Sequence, residues 1–340
     1  MKIHMRVIGL VAVACFLVIN CGNEDSEFTT GMITGLITDA SGLPLDSALI
    51  TTVPVTIGVY TNDSGAFEIP DVQPDAYTVF AQKRTYIPGS GYVTVTAGDI
   101  TNADISLTQN SRNVVGEMLT TACHCGDDAR AEAYIIKNNN DSNFVYVEYH
   151  ASSDPYFETW DPFATPGSEN RRMYYEADTF VLGNWFFLDG TVLLTAAGNY
   201  QEKIDSLLGV FSPLAITISG TYSSATGTGN IDLEIIAVDT IEYMDLVIEF
   251  VVYEKGPIDY SPSGPCIVMF ENVVVNMPAN EPLDIAYGET VYVAKDFSVP
   301  DTIGGAVPPF HAVNRNNIGV AVFVQSAGSK SILQAASYDF

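Results

Sequence analysis

From residue 31 onward the chain is built mainly of short apolar runs that alternate with polar residues. Met32-Ile33-Thr34-Gly35-Leu36-Ile37-Thr38 alternates and then meets Asp39-Ala40-Ser41-Gly42, a turn composition. A β-branched run leads to Tyr60, and Thr61-Asn62-Asp63-Ser64-Gly65 turns again, with Gly65 suited to positive φ. Runs at 66–70, 74–81 and 92–107 follow, the last broken at Ala97-Gly98-Asp99. Short strands at regular spacing without helical periodicity predict a β-sandwich over 31–108. The pattern then changes. Residues 113–119, 144–150 and 185–188 read as strands, the last ending at the tight-turn pair Asp189-Gly190. Residues 127–137, 169–175 and 200–208 have helical composition. Alternating strands and helices predict an α/β layer over 109–210. After Ser212-Pro213 strands return, at 214–219, 229–238, 245–253, 266–275, 289–297, 318–325 and 331–336, which predicts a second β-sandwich over 211–340. The expected fold class is multidomain and mainly β.

The N-terminus follows a different logic. Lys2 and Arg6 form a positive region, and thirteen apolar residues run from Val7 to Ile19. This is too short to remain as a membrane span and suits a secretory signal. The segment stops at Asn20-Cys21 and turns polar at Gly22-Asn23-Glu24-Asp25. It resembles a bacterial lipoprotein signal, with 1–20 removed, Cys21 lipidated and 21–30 as tether; Asn20 departs from the usual small residue. An ordinary signal with an incidental Cys21 is the alternative. A lipid anchor implies a membrane-surface location without a transmembrane helix. Net charge sharpens this. Fourteen basic against 41 acidic residues give −27, a surface that repels phosphate backbones and argues against nucleic acid.

Residues 31–108 resemble the carboxypeptidase regulatory-like domain, a transthyretin-like sandwich. The likeness rests on the opening at 35–48, on 61–70, on Pro74-Asp75-Ala76-Tyr77-Thr78-Val79, and on 95–99; Ala76 stands where the family usually has glycine. These domains are accessory, so the resemblance implies fold rather than activity. Asp39, Asp63 and Asp71 read as turn formers, with a calcium role as the alternative.

The centre resembles thioredoxin, and with the C-terminal part it resembles the Omp28-related outer-membrane proteins. The supporting stretches are 114–126, Tyr149-His150 with Asp161-Pro162-Phe163, 171–175 leading to 186–191, and downstream Ser212-Pro213-Leu214, 251–254, 270–274 and 321–325. The resemblance favours an outer membrane.

Candidate chemistry concentrates at Ala122-Cys123-His124-Cys125-Gly126-Asp127-Asp128. A thiol just before a helix N-terminus has its thiolate stabilised, and a second nearby thiol can resolve a mixed disulfide. Against an active pair stand the Cys-x-Cys spacing, Ala122 in place of tryptophan, Asn184 where a facing proline is expected, and repulsion from Asp127 and Asp128. Three readings stay open: a structural disulfide, a redox pair, or soft-metal binding by Cys123, His124 and Cys125, with His150 as a fourth ligand. No cofactor is implied. His150 itself reads as strand-end packing, Trp160 and Phe163 as loop anchors, Cys266 as a buried thiol, and His311 as a surface residue. Glu249, Glu254 and Asp259 read as solvated. Without a complete catalytic set, the expectation is a binding or scaffold protein with protein or glycan partners.

Overall fold

The computed structural model describes residues 29–121, 133, 135–138, 142–150, 161–176, 185–194, 199–260, 268–304 and 310–340. Cys21, Cys123, Cys125 and Cys266 lie outside them, as do His124, Asp127, Trp160 and Asn184, so the readings placed on those residues fall outside the described set.

Residues 31–109 fold into two facing sheets. One has the order β4 (Ala66–Val72), β1 (Gly31–Asp39), β9 (Ile105–Gln109), β6 (Tyr86–Ile87), with β8 (Ile100–Asn102) also on β1. The other runs β3 (Val59–Tyr60), β2 (Leu49–Val53), β5 (Ala76–Gln82), β7 (Gly89–Thr94). The alternation read from the sequence is the inward face: Ile33, Ile37, Ile50, Ile69 and Val79 are fully buried between the sheets. The turns carry their own locks. Asp39 Oδ1 accepts from Ser41 N (2.8 Å), Ser41 Oγ (2.7 Å) and Leu43 N (2.9 Å), which lowers the Asp39 pKa, the serine hydroxyl contributing most. Asn62 Oδ1 does the same for Ser64 N, Ser64 Oγ and Ala66 N, and Gly65 sits at φ 75°. Asp71 adopts φ 56°.

A nine-stranded sheet runs through the remainder of the molecule. Its first four strands are ordered β13 (Val192–Leu194), β12 (Trp185–Leu188), β10 (Val114–Thr120), β11 (Phe144–His150). β10 and β11 are parallel; β12 is antiparallel to both β10 and β13. Helices fill the connections: 135–138 are helical between β10 and β11, α1 (Pro166–Tyr174) lies between β11 and β12, and α2 (Tyr200–Leu208) follows β13. Strand parity sends the two faces of β10 to different helices. Val114 and Met118 pack with Ile136 and Ile204, while Val115 and Leu119 pack with Tyr175. α1 starts earlier than composition suggests, because Thr165 caps it by accepting from Ser168 N and Pro166 occupies the first turn.

The sheet does not end at β11. It continues through β19 (Val273–Asn276), β16 (Leu246–Glu254), β24 (Ile318–Ser326) and β25 (Ile332–Asp339), with β20 (Glu281–Pro282) also on β16. One parallel pairing, Glu148 with Val273, joins the halves, backed by Glu148 N donating to Asn272 O (3.0 Å) and Asn272 Nδ2 donating to Tyr146 O (2.8 Å). The boundary expected at 210/211 is therefore a chain connection across which one sheet is shared. The other layer is the sheet β14 (Leu214–Ser223), β15 (Thr228–Ala237), β21 (Thr290–Ser298). Ile231, Leu233 and Ile235 of β15 face Ile248, Phe250, Val252, Val320 and Val322, a sandwich core. Two short ribbons, β17 (Ile258–Tyr260) with β18 (Val268–Phe270) and β22 (Thr302–Ile303) with β23 (His311–Ala312), complete the strands. The N-terminal sheets rest on this body through Arg84 with Asp239, Thr85 N to Val238 O (3.0 Å), and Asn110 Nδ2 to Ser212 O (3.0 Å). Among the described residues no helix is long and apolar enough to cross a membrane.

Candidate functional site

The C-terminal ends of the parallel strands β10 and β11 lie side by side, with Thr120 paired to His150. Thr121 is the last described residue before the segment that carries Cys123 and Cys125. Tyr146, Glu148 and His150 occupy alternate positions of β11 and so share one face. Glu148 and His150 are buried, and Asp161 is buried beside them. His150 Nδ1 donates to Asp161 Oδ2 at 3.0 Å, and Phe163 N donates to Asp161 Oδ1 at 2.8 Å. Glu148 Oε1 accepts from the Tyr146 hydroxyl (2.8 Å) and from Glu271 N (3.2 Å). Glu148 Oε2 and His150 Nε2 face each other at 3.7 Å, too far for a hydrogen bond, and among the described residues neither has another hydrogen-bond partner. Burial pulls the His150 pKa down, but Asp161 and Glu148 outweigh it and hold the imidazole above its ordinary value.

A second histidine mirrors the first. His311 Nε2 lies 2.7 Å from Glu254 Oε2, and the Phe163 ring sits between the two imidazoles, 5.1 Å from His150 and 4.6 Å from His311. His311 N donates to Pro162 O (3.1 Å) and Gly304 N to Ala164 O (3.1 Å), so the 161–164 segment is clamped from both sides. His311 and Glu254 were expected at the surface. They are instead mostly buried as a hydrogen-bonded pair, with side-chain exposures of 16% and 5%. The anchor role read for Phe163 agrees with its burial.

On the opposite face of the sheet, α1 brings Arg171 onto Glu117 of β10. Arg171 Nε and Nη2 donate to the two carboxylate oxygens at 2.7 and 3.0 Å, a bidentate pair with both side chains buried. The Tyr175 hydroxyl donates to Glu117 Oε2 and accepts from Arg171 Nη2 (3.1 Å). The guanidinium lies 4.9 Å from the centres of both the Tyr174 and the Tyr175 rings. Burial opposes the charge on Arg171, but Glu117 overrides it and raises its pKa further. Arg171 Nη1 approaches Glu249 Oε1 to 3.8 Å, and Asn280 Nδ2 donates to that same oxygen at 3.1 Å. Glu249, expected to be solvated, thus lines the floor of a cleft of about 340 Å³ between α1, the start of β16 and the 277–280 segment. The sequence signal was available: a carboxylate inside the continuous apolar run of β16 needs a partner.

A third buried pair is structural. Arg112 Nη2 contacts Asp189 Oδ2 at 2.6 Å, Val115 N donates to Asp189 Oδ1 at 2.8 Å, and Arg112 also reaches Ile332 O. Burial raises the Asp189 pKa against the opposing pull of Arg112. Among the described residues no group of three or more His, Cys, Asp and Glu is placed to hold a metal ion.

The two-sheet N-terminal unit, with turn locks at Asp39 and Asn62 and a left-handed glycine at 65, decides one assignment. Residues 32–108 match the carboxypeptidase regulatory-like domain. This regulatory-like domain occupies less than a quarter of the chain. Comparison with curated proteins finds no match. Among solved structures, HBP35 of Porphyromonas gingivalis is similar at 14% identity, covering 68% of this chain and 76% of that one, with a TM-score of 0.51. A protein from Agrobacterium tumefaciens has 14% identity, coverage of 67% and 95%, and a TM-score of 0.43. A DUF3823 family protein from Parabacteroides merdae has 8% identity, coverage of 92% and 98%, and a TM-score of 0.21. At these identities the likeness to HBP35 concerns fold alone. Beyond the regulatory-like domain, the molecule is a mainly β, multi-sheet protein.

Proposed function

We propose that this chain is a lipid-anchored binding protein of a bacterial cell envelope, held at Cys21. In this reading the centre is thioredoxin-like and the body related to the Omp28 outer-membrane proteins. The strand order β13-β12-β10-β11, with its one parallel pair and its intervening helices, supports the thioredoxin-like part. The leader pattern of Lys2, Arg6 and an apolar run ending at Cys21 supports the anchor.

The observation that carries a binding role is the outer face of the β3-β2-β5-β7 sheet. Val53, Thr78 and Tyr92 align in one row across three strands, with Thr51, Phe80 and Ser90 in the next. Val53 is 59% exposed, Tyr60 68% and Tyr92 87%. An aromatic and aliphatic sheet face left in water marks a contact surface. Its partner is a protein or glycan met outside the cytoplasm. Two experiments test this. A photocrosslinking residue at Tyr92 in cells should trap a discrete partner, while the same residue at Tyr292 should not; equal yields would remove the reading. A Cys21→Ala variant should leave the membrane fraction, and unchanged retention would refute the anchor.

A second reading, an envelope thiol–disulfide oxidoreductase using Cys123 and Cys125, is favoured by the pairing of Thr120 with His150, which sets a buried imidazole beside the start of that segment. Alkylation across a redox titration, with Cys125→Ser to trap a mixed disulfide on Cys123, decides it. A pair that is always oxidised and traps nothing removes the enzyme.

A further inference from the structure

The cleft beside α1 combines apolar walls with a few converging polar atoms, the usual make-up of a small-ligand site. Asn170, Arg171 and Tyr174 line it from α1, Val247 and Glu249 from β16, and Met277 from the opposite wall. Residues 170, 171 and 174 fall on one helix stripe, and 247 and 249 on one strand face, so the lining follows from two regular elements.

The charges in it are uneven. Arg171 commits Nε and Nη2 to Glu117 and the Tyr175 hydroxyl. Its remaining nitrogen, Nη1, points at Glu249 from 3.8 Å. Glu249 uses Oε1 for Asn280 and Arg171, and among the described residues no hydrogen bond reaches its Oε2. Glu117, which does not itself line the cleft, already engages Arg171 on two bonds, so the Glu117–Arg171–Glu249 cluster carries one negative charge in excess. Lys330 lies 5.4 Å from the Tyr174 ring but is itself paired with Glu176 at 3.3 Å. Arg171 Nη1 faces the Glu249 carboxylate, so an anion approaching that nitrogen would meet an opposing negative charge. A cation would neutralise the excess, gain a charge-assisted bond to Glu249 Oε2, and find an acceptor in the exposed Asn170 amide. Apolar atoms of Val247, Met277 and the Tyr174 ring suit a short alkyl stem, and the ring adds cation–π attraction.

We propose that this cleft binds a primary ammonium group on a short alkyl chain, with Glu249 as its counter-ion and Asn170 as a second acceptor. The source is a lysine side chain of a partner or a free alkylamine. The net charge of −27 favours such a basic ligand at long range. The inference rests on the binding role argued above and adds a ligand class at a site remote from Tyr92.

The test uses calorimetric titration of the full chain at physiological salt, where diffuse attraction between exposed charges is screened beyond about 8 Å. The probes are Nα-acetyl-lysine methylamide, butylamine, and the uncharged isostere Nα-acetyl-norleucine methylamide. The two amines should bind and the norleucine compound should not. Tighter binding of the lysine compound than of butylamine identifies a side chain as ligand; equal binding identifies a free amine. Glu249→Gln should weaken the amines about tenfold or more, as loss of a bond to a charged group does. Asn170→Ala, on an exposed amide that carries no packing, should weaken them less while preserving the fold, and covers the case in which Glu249→Gln does not fold. Absence of amine binding, equal binding of norleucine, or affinities unaltered in both variants would overturn the proposal. None of these would alter crosslinking at Tyr92, so failure here is separable from failure of the binding role.

Discussion

The Glu117–Arg171 pair offers the sharpest stability test. Side-chain exposures are 0% for Glu117 and 3% for Arg171, so Arg171→Met strands a carboxylate where water cannot reach it. Removing one member of a buried, bidentate pair costs about 3–5 kcal/mol, because the remaining charge keeps its desolvation penalty and loses its partner. The Tyr175 hydroxyl still donates to Glu117 and offsets part of this, which places the expected loss toward the lower end. In the body beyond the regulatory-like domain, about 2–4 °C per kcal/mol converts that into a Tm lower by roughly 6–20 °C. Urea denaturation followed by tryptophan emission reads the change, since Trp185 sits on β12 beside β10 and packs 6.1 Å from Phe187. Adding Glu117→Leu to Arg171→Met should recover most of the loss, because two apolar groups of similar volume carry no stranded charge. A loss under about 1 kcal/mol for the single variant, or a double variant no better than the single, would refute the reasoning.

Three further outcomes follow from the same geometry. The folded His150 pKa lies above its unfolded value near 6.5, so the stability His150 contributes is complete below about pH 6.5 and is lost as pH rises through the folded value; His150→Gln should flatten that part of a stability–pH profile, and an unaltered slope would exclude the histidine as its source. Phe163→Ala empties the space between the two imidazoles and should cost about 3–5 kcal/mol in chemical denaturation, with His311 exchanging faster with solvent by NMR. Gly190 holds φ 71°, and a β-carbon there would collide with the Lys330 carbonyl, so Gly190→Ala should destabilise by more than about 1 kcal/mol, whereas Gly58→Ala, where a β-carbon meets only ordinary contacts, should not.

Elements with a strong internal period were legible from residues alone. Tyr200–Leu208 and Phe144–His150 begin and end where composition placed them, because each buries one regular stripe or run. The start of α1 was read three residues late, although Thr165 and Pro166 carry the cap and first-turn signal. The apolar run expected over 266–275 is broken at Glu271-Asn272, where Asn272 takes φ 51° and aims its amide at β11. That turn serves a contact 126 residues away in sequence, which no local pattern encodes. Glu249, Glu254 and His311 were misread for the same reason. A lone acid in an apolar run announces that a partner exists, but Arg171 and His311 are brought to those acids by tertiary packing. The identity and span of the regulatory-like domain were legible, since most of its turn chemistry lies within a few residues of each strand, although Asp71, read as a turn former, lies within β4 and β6 was not read.

Among the described residues one β-pairing joins β11 to β19, and it sets an order of events during synthesis. Until residue 273 has emerged, β11 is a sheet edge with unpaired backbone groups and a buried-type sequence, Phe-Val-Tyr-Val-Glu-Tyr-His. A chain released from the ribosome before that point carries this edge in the open, where it can pair with another copy. The regulatory-like domain, complete by residue 109, can fold ahead of it and emerge as an independent unit. Keeping the remainder from pairing wrongly until its last strands arrive is therefore a demand this topology places on folding. Fragments cut between the central and C-terminal halves should aggregate, while a cut near residue 110 should yield two soluble pieces.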